Sequence, residues 1–207
     1  MNRTARRLRR HRLARSFFRQ DPIALARGLL GQRLVSRAGG KTTSGIIVET
    51  EAYLGVADKA AHSYGGRYSP RNQTMWGDGG HAYVFFVYGM HHCFNVVAGR
   101  ARDPVAVLVR ALEPDEGPRV MFARRAKARR QTDLCSGPAK LCQALAIERA
   151  HDGEDLVDGE VLFIERLRSR PLPESLIVAS PRIGIDYAEE WRPEPLRFFV
   201  KDNPHVS

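Results

Sequence analysis

Two glutamates interrupt an otherwise apolar stretch, "SGIIVETEAY" (residues 44–53), and few features of the chain restrict its fold as much. Side chains of a strand alternate between two faces, so Ile47, Glu49, Glu51 and Tyr53 are expected on one face and Ile46, Val48, Thr50 and Ala52 on the other. A two-residue step along a strand is about 6.6 Å, which sets the two carboxylates side by side. A solvated strand face would accommodate them. The bulky apolar neighbours, and Tyr53 at the end of the same face, favour burial instead. Buried carboxylates require a cation or hydrogen-bond donors, and sites that supply them often do chemistry.

A cation is available further on. In "PVAVLVRALEP" Arg110 sits alone in an apolar run that reads as a strand, and an arginine in that setting needs Glu49 or Glu51. The rest of the chain alternates short strands with few helices. "QDPIALARGLLG" reads as a helix capped by Asp21, opened by Pro22 and stopped by Gly31. "RLVSR" reads as a strand joined to "SGIIVETEAY" by "AGGKTT", a turn that lacks the first glycine of a phosphate loop because Val35 stands there. "HAYVFFVYGMHHCFNVVA" reads as a hairpin broken at "YGM". Helices are expected around Pro118–Arg130 and Ser136–Ile147, the second with Ser136 as cap. "VLFIE", "SLIVASPRIGI" and "LRFFVK" read as strands. Between Gly55 and Gly80 little is periodic, and a loop of that length in a compact domain is usually functional. These elements predict a single α+β domain with a curved, largely antiparallel sheet flanked by helices.

The 207 residues carry a net charge of +10, which points to a polyanionic partner. Eight arginines and no acid fall in the first 20 residues, so the body is only mildly basic. A second cluster, "ARRAKARRQ", holds Arg124, Arg125, Lys127, Arg129 and Arg130. Phosphate neutralisation and a solvated helix face or tail both fit these clusters, and the first also has the composition of a mitochondrial transit peptide. No apolar run reaches the length of a membrane span. Cys93, Cys135 and Cys142 are odd in number and form no CxxC pair, which predicts free thiols in packing roles and a reducing compartment, cytoplasmic or nuclear.

The ordered set "ETEAY", "AHS", "PRN", "YVFFVYGMHHCFN", "LVRALEP", "CSGPAKLCQAL", "PRIGI" and "PLRFFVKDNPHVS" resembles the alkyladenine (3-methyladenine) DNA glycosylases from about Arg15 to Ser207. The arginine-rich tail over residues 1–15 lies outside the resemblance, which implies a glycosylase domain over residues 16–207. It implies a monomeric enzyme that hydrolyses the N-glycosidic bond of alkylated or deaminated purines in double-stranded DNA, the first step of base excision repair. No metal or organic cofactor is expected.

The same resemblance assigns roles. Glu51 would be the general base that activates water, with Arg110 and the backbone carbonyl of Ile185 positioning that water. Tyr53, His62 and Phe85 would wall the base pocket, and Asn95 would crowd the purine 2-position. Tyr88, at the break of a hairpin projecting toward DNA, would enter the minor groove. Glu49 receives no role. Phe85 replaces a tyrosine of the animal enzymes and keeps only its stacking face; His91 and His92 stand where those enzymes have aromatics. Two other classes are weighed against this one: a metal-dependent hydrolase using His62, His81, His91 and His92, whose spacing matches no ligand motif, and a non-catalytic protein that binds damaged DNA.

Overall fold

The computed structural model describes residues 11–87 and 89–207. Tyr88 and the first ten residues of the arginine-rich tail lie outside the described residues. One sheet organises the rest, its core path running β3-β4-β5-β2-β1-β6, and every pairing in it is antiparallel. The strands are β1 (Arg33–Ser36), β2 (Thr43–Tyr53), β3 (Ala82–Val87), β4 (His91–Val97), β5 (Ala106–Pro114) and β6 (Leu162–Glu165), with β7 (Ile177–Ser180) and β8 (Arg197–Val200) near the chain end. This is the mixed, largely antiparallel domain read from the sequence.

The central strand β2 changes partner along one edge. Its first residues, Thr43–Ile46, pair with β1, whereas Glu49–Glu51 pair with β8, which in turn pairs with β7. On the opposite edge β5 accompanies β2 from Gly45 to Tyr53, with register shifts on either side of Glu49 that leave Val48 of β2 and Arg110 of β5 without a Cα partner. Such bulges bend a strand and re-aim its side chains.

The bulge corrects the expected facing. Ile47 does not share the face of Glu49 and Glu51; it packs in the main core with Ala52, beneath helix α2 (Pro22–Leu29), while Glu49 and Glu51 point to the other side. Helix α2 is capped as expected, Asp21 accepting the N–H groups of Ile23 and Ala24. Thr50 fixes the helix to the sheet by donating to the carbonyl of Ala26, 3.0 Å away. A short helix α1 (Arg15–Phe18) buries Phe18 in the same core. Leu13 is buried too, and Arg15 bonds Asp155 and the carbonyl of Gly79, so the chain is anchored to the body from this point on.

Other boundaries differ from the sequence reading. Helix α3 (Pro118–Arg124) stops at Arg124 rather than running to Arg130, because the Asp133 carboxylate takes the N–H groups of Arg129 and Arg130 and draws the backbone into a turn. Helix α4 (Pro138–Leu145) has Gly137 as its cap; the Ser136 hydroxyl instead accepts from Lys140. Strand β7 ends at Ser180, where Pro181 removes the next backbone donor, and the following residues leave the sheet.

Helices α2 and α4 cover one face of the sheet, with Leu25, Leu29, Leu141 and Leu145 packed against Val84, Phe94, Val107 and Val109 in a single core. The alternate residues of β3, β4 and β5 therefore face away from those helices. Gly45 shows how tightly β2 is held. A Cβ there would stand 2.8 Å from Leu112 Cβ and 2.9 Å from the carbonyl of Glu113 in β5. The substitution Gly45→Ala is expected to cost about 1–3 kcal/mol through overpacking, read as a lower urea midpoint at unchanged slope.

Candidate active site

Alternation places Tyr83 and Phe85 of β3, Cys93 and Asn95 of β4, and Leu108 and Arg110 of β5 on the face left free by the helices, where they line a cavity of about 270 Å³. That is near the lower end of small-ligand sites, about 300–1,000 Å³. Tyr53 and His62 close one side, and Ile183–Ile185, the segment that leaves the sheet after β7, closes another. The cavity thus gathers Tyr53, His62, Phe85, Asn95, Arg110 and Ile185. Tyr88 lies outside the described residues; its hairpin neighbours Phe86 and Met90 are well exposed.

Glu51 lies directly behind this wall, with no exposed surface. Its Oε1 accepts the N–H of Ile183 at 2.8 Å and lies 3.1 Å from Arg110 Nη1, while Oε2 accepts the hydroxyl of Tyr53 at 2.9 Å. A carboxylate has about four lone-pair directions, so one on Oε2 remains for a further donor. Burial pushes the Glu51 carboxyl above its ordinary range, against the pull of Arg110, the Ile183 N–H and Tyr53. Burial and the neighbouring Glu51 also push the Tyr53 hydroxyl far upward, so it stays protonated and remains a donor.

Glu49 is arranged differently. It too is wholly buried, but its oxygens accept from Arg110 Nε at 3.0 Å, Arg197 Nε at 2.6 Å, the Ser207 hydroxyl at 3.0 Å and the Ser207 N–H at 2.7 Å. Four donors hold it, three on Oε1 and one on Oε2, and of these only Arg110 also lines the cavity.

Sequence reasoning missed a second buried ion pair. Arg182 donates to both oxygens of Asp58, at 2.6 and 2.9 Å, with neither side chain exposed, and its guanidinium lies 4.8 Å from the centre of the Tyr53 ring. A third bond, to the carbonyl of Ala52, completes the clamp. Asp58 in turn takes the N–H groups of Leu54 and Ala60. The pair therefore joins the loop after β2 to the segment that delivers the Ile183 N–H. A lone arginine between Pro181 and "IGI" was the available signal, the same one that drew attention to Arg110.

His62 stands edge-on to Phe85, their centroids 4.5 Å apart, with Nδ1 2.7 Å from the hydroxyl of Tyr83. Asn95 is fixed by donating to the carbonyl of Tyr83 at 3.0 Å. The carbonyl of Ile185 already accepts from Ala188 at 2.9 Å, which leaves one of its two lone pairs. Cys93 faces the cavity as a thiol, its pKa pushed up to about 11 by burial, while Cys135 and Cys142 pack in the main core; all three are unpaired. Among the described residues no group of three His, Cys, Asp or Glu is placed to hold a metal ion, and no helix is long and apolar enough to cross a membrane.

Burial, with Arg71 and Arg67 nearby, lowers the His62 pKa to about 4, so the ring is neutral at pH 7. The unfolded chain binds this proton near pH 6.5 and the folded chain does not until about 4. Its contribution is therefore intact above pH 6.5 and declines as pH falls toward 4, by about 3 kcal/mol in all. His62→Gln is expected to flatten the stability–pH curve in that window, as measured by urea unfolding at half-unit steps.

Comparison with known proteins gives the family. Residues 16–204 match the family model described as methylpurine-DNA glycosylase. A protein of Desulfitobacterium hafniense whose name carries 3-methyladenine DNA glycosylase is 47% identical over 204 residues, covering 95% of this chain and 98% of that protein. The human DNA-3-methyladenine glycosylase is 46% identical over 205 residues, 95% of this chain and 68% of its own length. A Clostridium acetobutylicum relative named in the same terms is 45% identical over 203 residues. The chain belongs to the methylpurine-DNA glycosylase family.

Proposed function

We propose that this chain is a monofunctional DNA glycosylase that removes alkylated or deaminated purines, with Glu51 as general base. The family and its named relatives support release of methylated purines from DNA as the first step of base excision repair. A base within a duplex is inaccessible, so the damaged nucleotide must be rotated out and held in a pocket. The cavity over Tyr53, His62 and Phe85 offers aromatic faces that favour an electron-poor, often cationic purine by stacking and cation–π attraction. Asn95, held rigidly, limits what the purine edge can carry.

Water adds to the sugar carbon as the bond to the purine nitrogen breaks, its electron pair leaving with the base and the water proton passing to Glu51. The sugar carries positive charge in the transition state, so an adjacent carboxylate stabilises it as well as accepting the proton. Glu51 has the one free lone pair for that water, and Arg110 and the remaining lone pair of the Ile185 carbonyl supply its other contacts. Tyr88 would fill the space the nucleotide leaves, as apolar and aromatic wedges do in the minor groove. The exposed flank of Phe86 and Met90 suits the tip of a hairpin directed at DNA. Exposed Arg67 and Arg71, beside His62, suit backbone phosphates, and the chain would act as a monomer.

The observation that carries this reading is a fully buried carboxylate, bonded by Ile183, Tyr53 and Arg110 and short of one donor, directly behind an aromatic cavity. Glu51→Gln is expected to slow base release by about 10²–10⁴-fold in single turnover on an oligonucleotide bearing one lesion, with duplex affinity nearly unchanged. In the unaltered chain the rate should fall as pH drops through the Glu51 pKa, above the ordinary glutamate value, since only the ionised form accepts a proton. EDTA should have no effect, and borohydride should trap no covalent adduct. An undiminished Gln variant removes Glu51 from the mechanism; binding without any base release by the unaltered chain identifies a non-catalytic damage-binding protein.

A further inference from the structure

We infer that Glu49 is a positioning residue of this site: it fixes Arg110 and, together with Arg197, sets the net charge that Glu51 meets. The inference rests on the reading of Glu51 as the base. Among the described residues Arg110 is the only side chain in contact with both carboxylates, its Nε on Glu49 and its Nη1 on Glu51. A guanidinium is a rigid planar fork, so seating one nitrogen on Glu49 determines where the other faces. Arg110 is also the unpaired position of β5, between Ala111, which faces Glu49, and Val109, which faces Thr50, so the ladder does not constrain it and its side-chain partners must.

Glu49 is in turn over-determined. Arg197 of β8 approaches from the far side at 2.6 Å, and Ser207 adds two bonds and also accepts from Arg110 Nη2 at 3.3 Å. Of this set only Arg110 lines the cavity. A carboxylate bonded by four donors and set back from the cavity serves to hold them.

The charges facing Glu51 come from every surrounding element. Its own strand contributes Glu49 and the protonated Tyr53; β5 contributes Arg110; the segment after β7 contributes Arg182 and the Ile183 N–H. The loop after β2 contributes Asp58, which pairs with Arg182, and β4 contributes Cys93 as an uncharged thiol. Arg182 is paired with Asp58, so the charge that a single substitution alters most directly is that of Arg110, Glu49 and Arg197. Neutralising Glu49 leaves Glu51 as the only carboxylate on Arg110 and leaves Arg197 behind it without its acid, which favours the ionised, less basic form of Glu51. Removing Arg197 does the opposite.

The test is the pH dependence of single-turnover base release by the full chain, on a duplex oligonucleotide with one methylated or deaminated purine. Glu49→Gln is expected to lower the plateau rate at least about tenfold while damaged-duplex affinity stays within about threefold, and to move the acid limb down by about one pH unit, the size of one elementary charge at strand spacing. Arg197→Gln should move the limb up. Glu49→Asp, which keeps the charge, should restore the limb of the unaltered chain at a reduced rate. A limb that stays in place or moves the other way in both Gln variants overturns the inference, and Arg197→Gln decides alone if Glu49→Gln does not fold. Glu51→Gln is run in parallel. Its inactivity alongside unmoved limbs rejects only the role of Glu49, whereas its full activity rejects the base and this inference together.

Discussion

Arg110 is shared between two carboxylates that have no exposed surface, and the functional half of the molecule is built around that contact. Removing ions from water is expensive, and attraction offsets the cost only where geometry is good and the remaining donors and acceptors are met. The chain meets this condition collectively. Glu49, Glu51 and Asp58 are matched by Arg110, Arg197 and Arg182, three acids against three guanidiniums, in contacts of 2.6–3.1 Å. All three cations are arginine, which cannot lose its proton to escape burial as lysine can. Apolar residues of similar volume could stabilise the fold as well, so what the cluster secures is arrangement. It joins β2, β5, β8, the loop after β2 and the segment after β7, and adds directional bonds to pieces whose apolar contacts are the small cluster of Ala60, Ile185, Ala188 and Tyr53 and the Phe198 side of the main core.

The bulged pairing of β2 with β5 is the backbone counterpart of that cluster. In a regular ladder Arg110 would face a β2 residue and Ile47 would fall on the same side as Glu49. The shifts around Glu49 return Ile47 to the core, keep Glu49 and Glu51 on the cavity side, and let β2 exchange β1 for β8 as its neighbour. The first part of the strand is thus a core element. Its second part is an active-site element, gripped by β8, whose Arg197 reaches Glu49 across the pairing.

This division explains what the sequence disclosed. The family resemblance, not periodicity, picked out Phe85 and Asn95, and a lone charge in an apolar run picked out Arg110; the structure gathers them around one cavity with Tyr83, which alternates with Phe85 in the regular pairing of β3 and β4. Alternation failed for Ile47 because a bulge adds a residue without any composition of its own. The end of α3 was misjudged because the competing interaction, Asp133 with two backbone N–H groups, is a local turn inside a run of helix-forming residues. Asp58 and Arg182 stand 124 positions apart, and each by itself looks like an ordinary loop charge. The Ile183 N–H is a backbone donor and leaves no trace in residue type. Site residues were legible, then, where a motif or a lone charge marks them, and partners were not where the chain crosses itself.

Burial acts on Glu51 in two opposed ways, and the balance between them bears on how it would operate as the proposed base. Desolvation destabilises the anion and so strengthens it as a proton acceptor; Arg110, Ile183 and Tyr53 stabilise the anion and weaken it. A carboxylate left to desolvation alone would be protonated at neutral pH and useless as a base, and one tied into a web of four donors, as Glu49 is, would be a weaker acceptor. Glu51 lies between these limits, with three contacts and one vacant direction. Its donors are also already oriented before any substrate arrives, so little reorganisation is needed as charge develops on the sugar. The free energy spent on burying the ion during folding is thereby available as reactivity at the one lone pair its neighbours leave open.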